Sequence, residues 1–309
     1  MDRCAAIAID RAQCSGCGLC VAVCPYGVFA IGEDGLPRHD GRACFLCDHC
    51  RAVCPAGAIA IEGHVSCLGL QTVAESERGR LPGPALAEDL VALMRQRRSC
   101  RSYRPEPLPL AILEDLVRIG TTAPSGTNCQ GWSFIIIPER ADLLRFGSLC
   151  ADFFRRLNTL AASPPLRLWS RLFYGDALGR YHRNHRQSVA EALEQWDRDG
   201  RDLLFHGAAA AILVAARRDS SCPGEDAMLA TANILLSAEA MGLGSCLIGF
   251  ATEAIRHSPK IRASLRLPAG EDVHAVIALG YPAIRFARPA ARRKVSPRVV
   301  RLAVEQRSG

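Results

Sequence analysis

Apolar positions follow three different rhythms along this chain. Near the start they come in short runs, at 6–9, 28–31 and 58–61, each suited to a small strand and separated by cysteine-rich loops. Residues 63–84 show no period and carry Ser66, Glu75, Ser76, Gly79, Pro82, Gly83 and Pro84, the composition of a connector. From Ala85 the spacing turns helical: Leu86, Leu90, Leu93 and Met94 mark one helix. Ile112, Leu113, Leu116, Val117 and Ile119 mark a second, opened by Pro109 and closed at Gly120. The run Phe134–Ile137 after Ser133 predicts a strand over 133–137.

At 309 residues the chain exceeds what one core usually supports, which is roughly 250–300 residues. The rhythms divide it into a small unit over 1–63, a linker over 64–84 and a larger unit over 85–309.

The cysteines give the small unit its chemistry. They read Cys14-Ser-Gly-Cys17-Gly-Leu-Cys20-Val-Ala-Val-Cys24-Pro25 and Cys44-Phe-Leu-Cys47-Asp-His-Cys50-Arg-Ala-Val-Cys54-Pro55. Each run is C-x2-C-x2-C-x3-C-P, in which the fourth cysteine crosses to the other iron–sulfur cluster. On that pattern Cys14, Cys17, Cys20 and Cys54 hold one [4Fe-4S] cluster, and Cys44, Cys47, Cys50 and Cys24 hold the other. Structural zinc and disulfide scaffolds also pair cysteines, but two complete runs in register favour clusters. The segment resembles the two-cluster bacterial ferredoxin domain.

Seven further cysteines, Cys4, Cys67, Cys100, Cys129, Cys150, Cys222 and Cys246, are scattered without pairing logic, as expected in a reducing, cytoplasmic compartment. Met1 leads through Asp2 and Arg3 directly toward the cluster ligands, so no signal peptide is expected. The longest apolar runs, 207–216 and 227–238, are too short to span a bilayer. The net charge of +7 comes almost wholly from arginine, spread without a basic stripe or interleaved stacking aromatics. That argues against nucleic acid and toward anionic cofactor phosphates and an acidic electron carrier.

In the larger unit two stretches stand out. Arg97-Arg98-Ser99-Cys100-Arg101 gathers guanidinium forks and hydroxyls after a helix, as a phosphate monoester requires, although alone such a run is more often a solvated face. Thr122-Ala-Pro124-Ser125-Gly126-Thr-Asn128-Cys-Gln130-Gly131-Trp132 then offers amides and hydroxyls suited to a flavin's carbonyl and imide edge, or is simply a turn.

Together these motifs resemble the FMN-dependent nitroreductase family. Its phosphate motif is Arg-x-Ser-x-Arg and its later loop is Ala-Pro-Ser-x-x-Asn-x-Gln-Pro-Trp; here Gly131 stands where the family has proline. The resemblance continues through Phe205-His206-Gly207 into a strand over 210–215, a buried helix over 227–241, Gly242-Leu243-Gly244, a late strand over 273–279 closed by Gly280-Tyr281-Pro282, and Arg292-Arg293-Lys294.

The resemblance implies an α+β chain in which the N-terminal two-cluster ferredoxin-like domain precedes a three-layer α/β/α nitroreductase fold. That fold forms an intertwined homodimer with FMN at the subunit boundary. Arg97, Arg98, Ser99 and Arg101 would serve the phosphate, joined by Arg292, Arg293 or Lys294. Pro124, Ser125, Gly126, Asn128 and Gln130 would approach the ring from the partner subunit, and Leu247, Ile248 and Gly249 would line its face or N5 edge.

Residues 152–202 depart most from compact family members. They predict two or three helices covering the flavin, with Tyr181, His182 and His185 as candidate proton donors. Trp169, Phe173 and Trp196 either stack on a planar substrate or pack the segment's own small core.

Flavin exchanges electrons singly or in pairs and each cluster carries one, so the pair of units turns a one-electron supply into a hydride-equivalent donor. Gly242-Leu-Gly244 lacks the third glycine and the preceding strand of a dinucleotide site. A reduced ferredoxin-like carrier is therefore the simpler donor, with transient NAD(P)H the other choice. The expected function is reduction of a small planar acceptor such as a nitroaromatic, quinone or activated alkene. The alternative is an electron-transfer adaptor without a dedicated substrate.

Overall fold

The computed structural model describes residues 7–41, 44, 46–65, 67–75 and 83–301. In the small unit, β1 (Ile7–Ile9) is followed by α1 (Leu19–Val23), β2 (Phe29–Ile31), β3 (Pro37–His39), α2 (His49–Val53) and β4 (Ile59–Ile61). β1 pairs antiparallel with β4, and β2 with β3. Three of these strands fall on the expected runs; Ala6 lies outside the described residues. β3, reading Pro-Arg-His, has no apolar period and was not predicted. Among the described residues the small unit buries Val28, Phe29, Ala58, Ile59 and Ile61 with Cys20 and Cys50, and Ile7, Ile9, Val21 and Leu46 pack against this core.

The larger unit continues with α3 (Pro84–Gln96), α4 (Leu110–Gly120), β5 (Trp132–Ile137), α5 (Arg140–Ala162), α6 (Pro164–Phe173), α7 (Ala177–Asn184) and α8 (Arg186–Asp199). Then come β6 (Ala210–Arg217), α9 (Pro223–Ala240), β7 (Gly244–Leu247), α10 (Gly249–His257), α11 (Pro259–Ser264) and β8 (Glu271–Gly280). The four strands form one antiparallel sheet in the order β5-β6-β8-β7.

β6 explains the layering. Alternate side chains point to opposite faces of a strand. Ala211, Leu213 and Ala215 join Leu143 and Phe146 of α5 and Ala254 and Ile255 of α10. Ala210, Ile212, Val214 and Ala216 join Leu113 and Leu116 of α4 and Ala227, Ala230 and Ile234 of α9. Covered on both faces, β6 reads as an unbroken apolar run rather than an alternating one.

Two helices carry apolar surface that this chain leaves uncovered. Nothing in α3 is buried, and Leu86, Leu90 and Met94 are exposed. α9 buries one face, yet Met228 and Leu229 on the other remain exposed. Among the described residues no helix is long and apolar enough to cross a membrane.

Candidate functional site

The small unit wraps two cavities, each with about 320 Å³ of atom-free space partly open to solvent. Cys14, Cys17, Cys20 and Cys54 line the first, walled by Leu19, Pro37 and Ile59. Cys24, Cys44, Cys47 and Cys50 line the second, walled by Val28, Phe29 and Ile61. The crossed grouping expected from spacing is thus the grouping the fold brings together.

The loops are matched halves. Gly16 and Gly18 have φ of +68° and +70°, and their counterparts Leu46 and Asp48 have +56° and +65°. Glycine accepts this left-handed backbone freely, whereas Leu46 and Asp48 hold it under strain. Amides already point at sulfur: Leu46 N donates to Cys44 Sγ and Ala58 N to Cys54 Sγ, both at 3.3 Å. Burial pushes the Cys50 thiol up to about 11 and Cys20 upward. Four soft donors around an apolar, amide-lined space fit an iron–sulfur cluster.

In the larger unit the basic knot crosses one end of the sheet. Cys100 N donates to Ser245 O and Arg104 N to Tyr281 O, both at 2.9 Å, while Tyr103 Oη donates to Ala278 O at 3.3 Å. Two glycines make room: a Cβ on Gly244 would lie 2.7 Å from Cys100 Sγ, and one on Gly280 2.8 Å from the Tyr103 ring. Arg104 is paired with Glu106 at 3.0 Å, but no carboxylate lies within ion-pair distance of Arg97, Arg98 or Arg101 among the described residues. Arg98 instead lies over the Phe286 ring at 4.8 Å. Beside the knot Ser245 Oγ is buried without a hydrogen-bond partner. Burial and the nearby Arg101 push the His206 imidazole below its usual range. Guanidiniums with no carboxylate partner among the described residues, with exposed Ser99 beside them, fit an anionic phosphate. Arg292, Arg293 and Lys294 are exposed in the extended tail, and no hydrogen bond ties them to the knot among the described residues.

The 125–130 loop sits elsewhere. Asp226, in the first turn of α9 and buried, accepts from Gly126 N at 2.8 Å and from Cys129 Sγ at 3.3 Å. Ser125 Oγ accepts from Gln130 N at 3.0 Å. Thr127, Asn128 and Gln130 all have positive φ. Gly131 faces Ser220 so closely that a Cβ would collide with its side chain, which accounts for the absence of a larger residue there.

Knot and loop occupy opposite corners of the sheet. The knot pairs with β7 at one edge beside Leu279 and Gly280, whereas the loop enters β5 at the other edge, where Arg217 N donates to Gly131 O. Along β6 that separation is roughly 23 Å at about 3.3 Å per residue. α9 gives a second ruler: Asp226 holds the loop and Glu239 lies near Arg97, roughly 20 Å apart at about 1.5 Å per residue. Leu247, Ile248 and Gly249 belong to the knot's side, at the end of β7; Leu247 is exposed and Ile248 N donates to Val276 O at 2.8 Å.

The loop meets the small unit instead. Asn128 Nδ2 donates to Leu46 O at 2.5 Å, between Cys44 and Cys47. The connector is docked too, contrary to its patternless sequence. The fully buried Asp115 of α4 accepts from Gln71 N at 2.9 Å and from Thr72 N and Oγ1 at 2.6 Å. Arg118 Nη1 bridges Asp115 and Gly69 O.

Residues 94–281 match the nitroreductase family and residues 13–59 match the 4Fe-4S dicluster domain. The chain belongs to the nitroreductase family. It is 31% identical over 201 residues to a Thermus thermophilus protein named NADH dehydrogenase, covering 65% of this chain and 89% of that one. It is 23% identical over 213 residues to iodotyrosine deiodinase of Danio rerio, covering 67% of this chain and 65% of that one, just under two thirds of its length. Among solved structures, a nitroreductase with bound FMN from Bacteroides fragilis shares 20% identity over 70% of this chain and 98% of that one, with a TM-score of 0.48.

In this nitroreductase the segment after β5 begins as the long α5, with residue 152 inside it, and continues as α6, α7 and α8. Tyr181 donates Oη to Asn158 Oδ1 at 2.7 Å and stacks near Phe154, and burial pushes its hydroxyl up to about 12. His182 is held below its usual range by desolvation and by Arg167, Arg186 and Arg183. His185 lies edge-on to Phe250, the residue after Gly249, with ring centroids 5.7 Å apart. Trp196 packs against α5 at Gly147, whereas Trp169, Phe173 and Tyr174 are 52%, 67% and 61% exposed and gather on one another. Sequence reasoning missed Asp115, Asp226 and Leu46; only Asp226, an acidic residue in a helix's first turn, carried a local signal.

Proposed function

We propose that this nitroreductase is an iron–sulfur flavoprotein oxidoreductase that moves electrons from two [4Fe-4S] clusters through FMN to a small planar organic acceptor. Cys14, Cys17, Cys20 and Cys54 ligate one cluster; Cys24, Cys44, Cys47 and Cys50 ligate the other. FMN, when bound, supplies hydride-equivalent chemistry at N5, and the clusters supply single electrons.

The chain's own residues do the positioning. Arg97, Arg98 and Arg101 offer charge and forked donors to the phosphate, with the Ser99 hydroxyl beside them and Arg292–Lys294 reaching in from the extended tail. Ser125, Gly126, Asn128 and Gln130, with Pro124 at the loop's start, hydrogen-bond and orient the ring edge, and Leu247, Ile248 and Gly249 keep water from its face. Because knot and loop lie at opposite corners, one flavin cannot touch both in a single chain. A second copy completes the site, docking on the exposed apolar faces of α3 and α9. The donor is a reduced ferredoxin-like carrier or NAD(P)H, and the acceptor a nitroaromatic, quinone or activated alkene.

The observation that supports this reading is the contact of the 125–130 loop, the segment proposed to meet the flavin ring, with the Cys44–Cys47 loop. The exposed patch of Trp169, Phe173 and Tyr174 favours a second reading, an adaptor whose flavin exchanges electrons with a docked protein. Anaerobic reduction with dithionite, removal of excess, and mixing with a nitroaromatic, a quinone and an enone separates the two. The enzyme reading expects at least one to reoxidise the flavin faster than buffer; if none does, the adaptor stands.

A further inference from the structure

We infer that the cluster in the Cys24, Cys44, Cys47 and Cys50 cavity is the one facing the flavin, and that it feeds the flavin whose phosphate is gripped by the other subunit's arginine knot. This rests on the flavoprotein reading and adds to it which cluster delivers and across which boundary.

Two independent placements carry it. The small unit touches the larger one at the loop corner: Asn128 Nδ2 bonds Leu46 O, and the strained backbone of Leu46 lies between two cysteines of the second cavity. The connector is pinned to the same unit by Asp115 through Gln71 and Thr72. Meanwhile the chain's own phosphate knot lies at the far corner, roughly 23 Å away along β6 at about 3.3 Å per residue. A flavin reached by this chain's loop is therefore held at its phosphate by the other copy's Arg97 and Arg101. The first cavity, with Cys14 and Cys17, makes no such contact among the described residues and is the side that receives electrons.

Each reduced carrier gives up one electron and is oxidised; two such transfers, with protons from water, complete the reduction of one flavin. A subunit-mixing experiment tests the route. One full-length chain carries Cys47→Ser and keeps its knot. The other carries Arg97→Ala with Ser99→Ala and keeps its clusters. Differently tagged copies are co-expressed and the heterodimer isolated.

Flavin content should be about half that of wild type, with iron lost from only one chain. Mixed with a pre-reduced bacterial ferredoxin, the heterodimer's flavin should bleach about tenfold or more faster than that of the Cys47→Ser homodimer, because transfer within the complex replaces a bimolecular encounter. A heterodimer that holds flavin yet bleaches at the homodimer's rate overturns transfer between subunits. A Cys47→Ser homodimer that bleaches like wild type overturns the choice of cavity. Should Cys47→Ser fail to fold, Cys24→Ser removes a ligand of the same cavity from the other run. Wild-type protein lacking flavin altogether contradicts the underlying flavoprotein reading and not this route.

Discussion

Asn128 donates its side-chain amide to the carbonyl oxygen of Leu46 at 2.5 Å, joining the loop that precedes β5 to the loop between Cys44 and Cys47. Two segments 82 positions apart in sequence are thereby fixed against each other. The iron–sulfur module is seated on the nitroreductase domain at the corner where the 125–130 loop lies, and a second anchor at Asp115 holds the connector.

Asp115→Ala should loosen that seating. It leaves the amides of Gln71 and Thr72 and the Thr72 hydroxyl without their charged acceptor. Gln71 and Thr72 are themselves exposed and can turn to water, so a loss of about 1 kcal/mol is expected. For a domain of this size that corresponds to a midpoint lower by about 2–4 °C. Thermal unfolding and proteolysis of residues 67–75 read the two consequences, and an unchanged midpoint with full protection contradicts the anchor.

The same carboxylate sets a pH dependence. Burial acts to raise its pKa, but the bonds from Thr72 and Gln71 and the charge of Arg118 outweigh it, so the folded value lies below the ordinary one. Its contribution is present above the unfolded pKa and is lost as pH falls through the folded one. Connector protection should be level from about pH 5 to 8 and fall only below about pH 4. Asp115→Asn should flatten that acid limb; an unaltered limb assigns it to other groups.

Gly244→Ala should displace the Arg97–Arg101 knot. The new methyl would lie 2.7 Å from Cys100 Sγ and 2.8 Å from its Cβ, and Cβ has no rotamer by which to retreat. Overpacking of this kind costs about 1–3 kcal/mol. FMN retention after gel filtration should fall along with the melting midpoint, while iron content stays at the wild-type level. Normal flavin retention would show that the knot's seat over Gly244 is not what holds the phosphate.

The two cavities should be separable by mutation. Cys14→Ser and Cys47→Ser each remove one ligand from a different cavity, so each should lower the iron count and leave bound FMN intact. Iron and flavin analysis of the purified variants checks this. Simultaneous loss of flavin in both would mean that the units do not hold their cofactors independently.

How much of this was legible in sequence depended on whether the cause was local. The C-x2-C-x2-C-x3-C-P spacing made the cavities legible because one tight loop gathers three thiols of each, and the fourth cysteine of each run crosses to the other cavity. β6 announced itself because a strand buried on both faces needs apolar residues at every position. α5 was hidden, since Arg140–Ala162 mixes arginines with its buried Leu143, Phe146 and Phe154 and so reads as polar. Asp115 sits on an ordinary helix face and acquires its role only when residues 71 and 72 arrive from 43 and 44 positions away. Trp169 and Phe173 looked like core and are exposed, because α6 packs through its neighbours and leaves that face open.

The most direct test of the central claim is the anaerobic absorption spectrum of the purified chain with iron and flavin counts. The account predicts about eight irons per chain, four for each of two clusters, together with about one FMN. A colourless protein, or one that carries iron and no flavin, would contradict it.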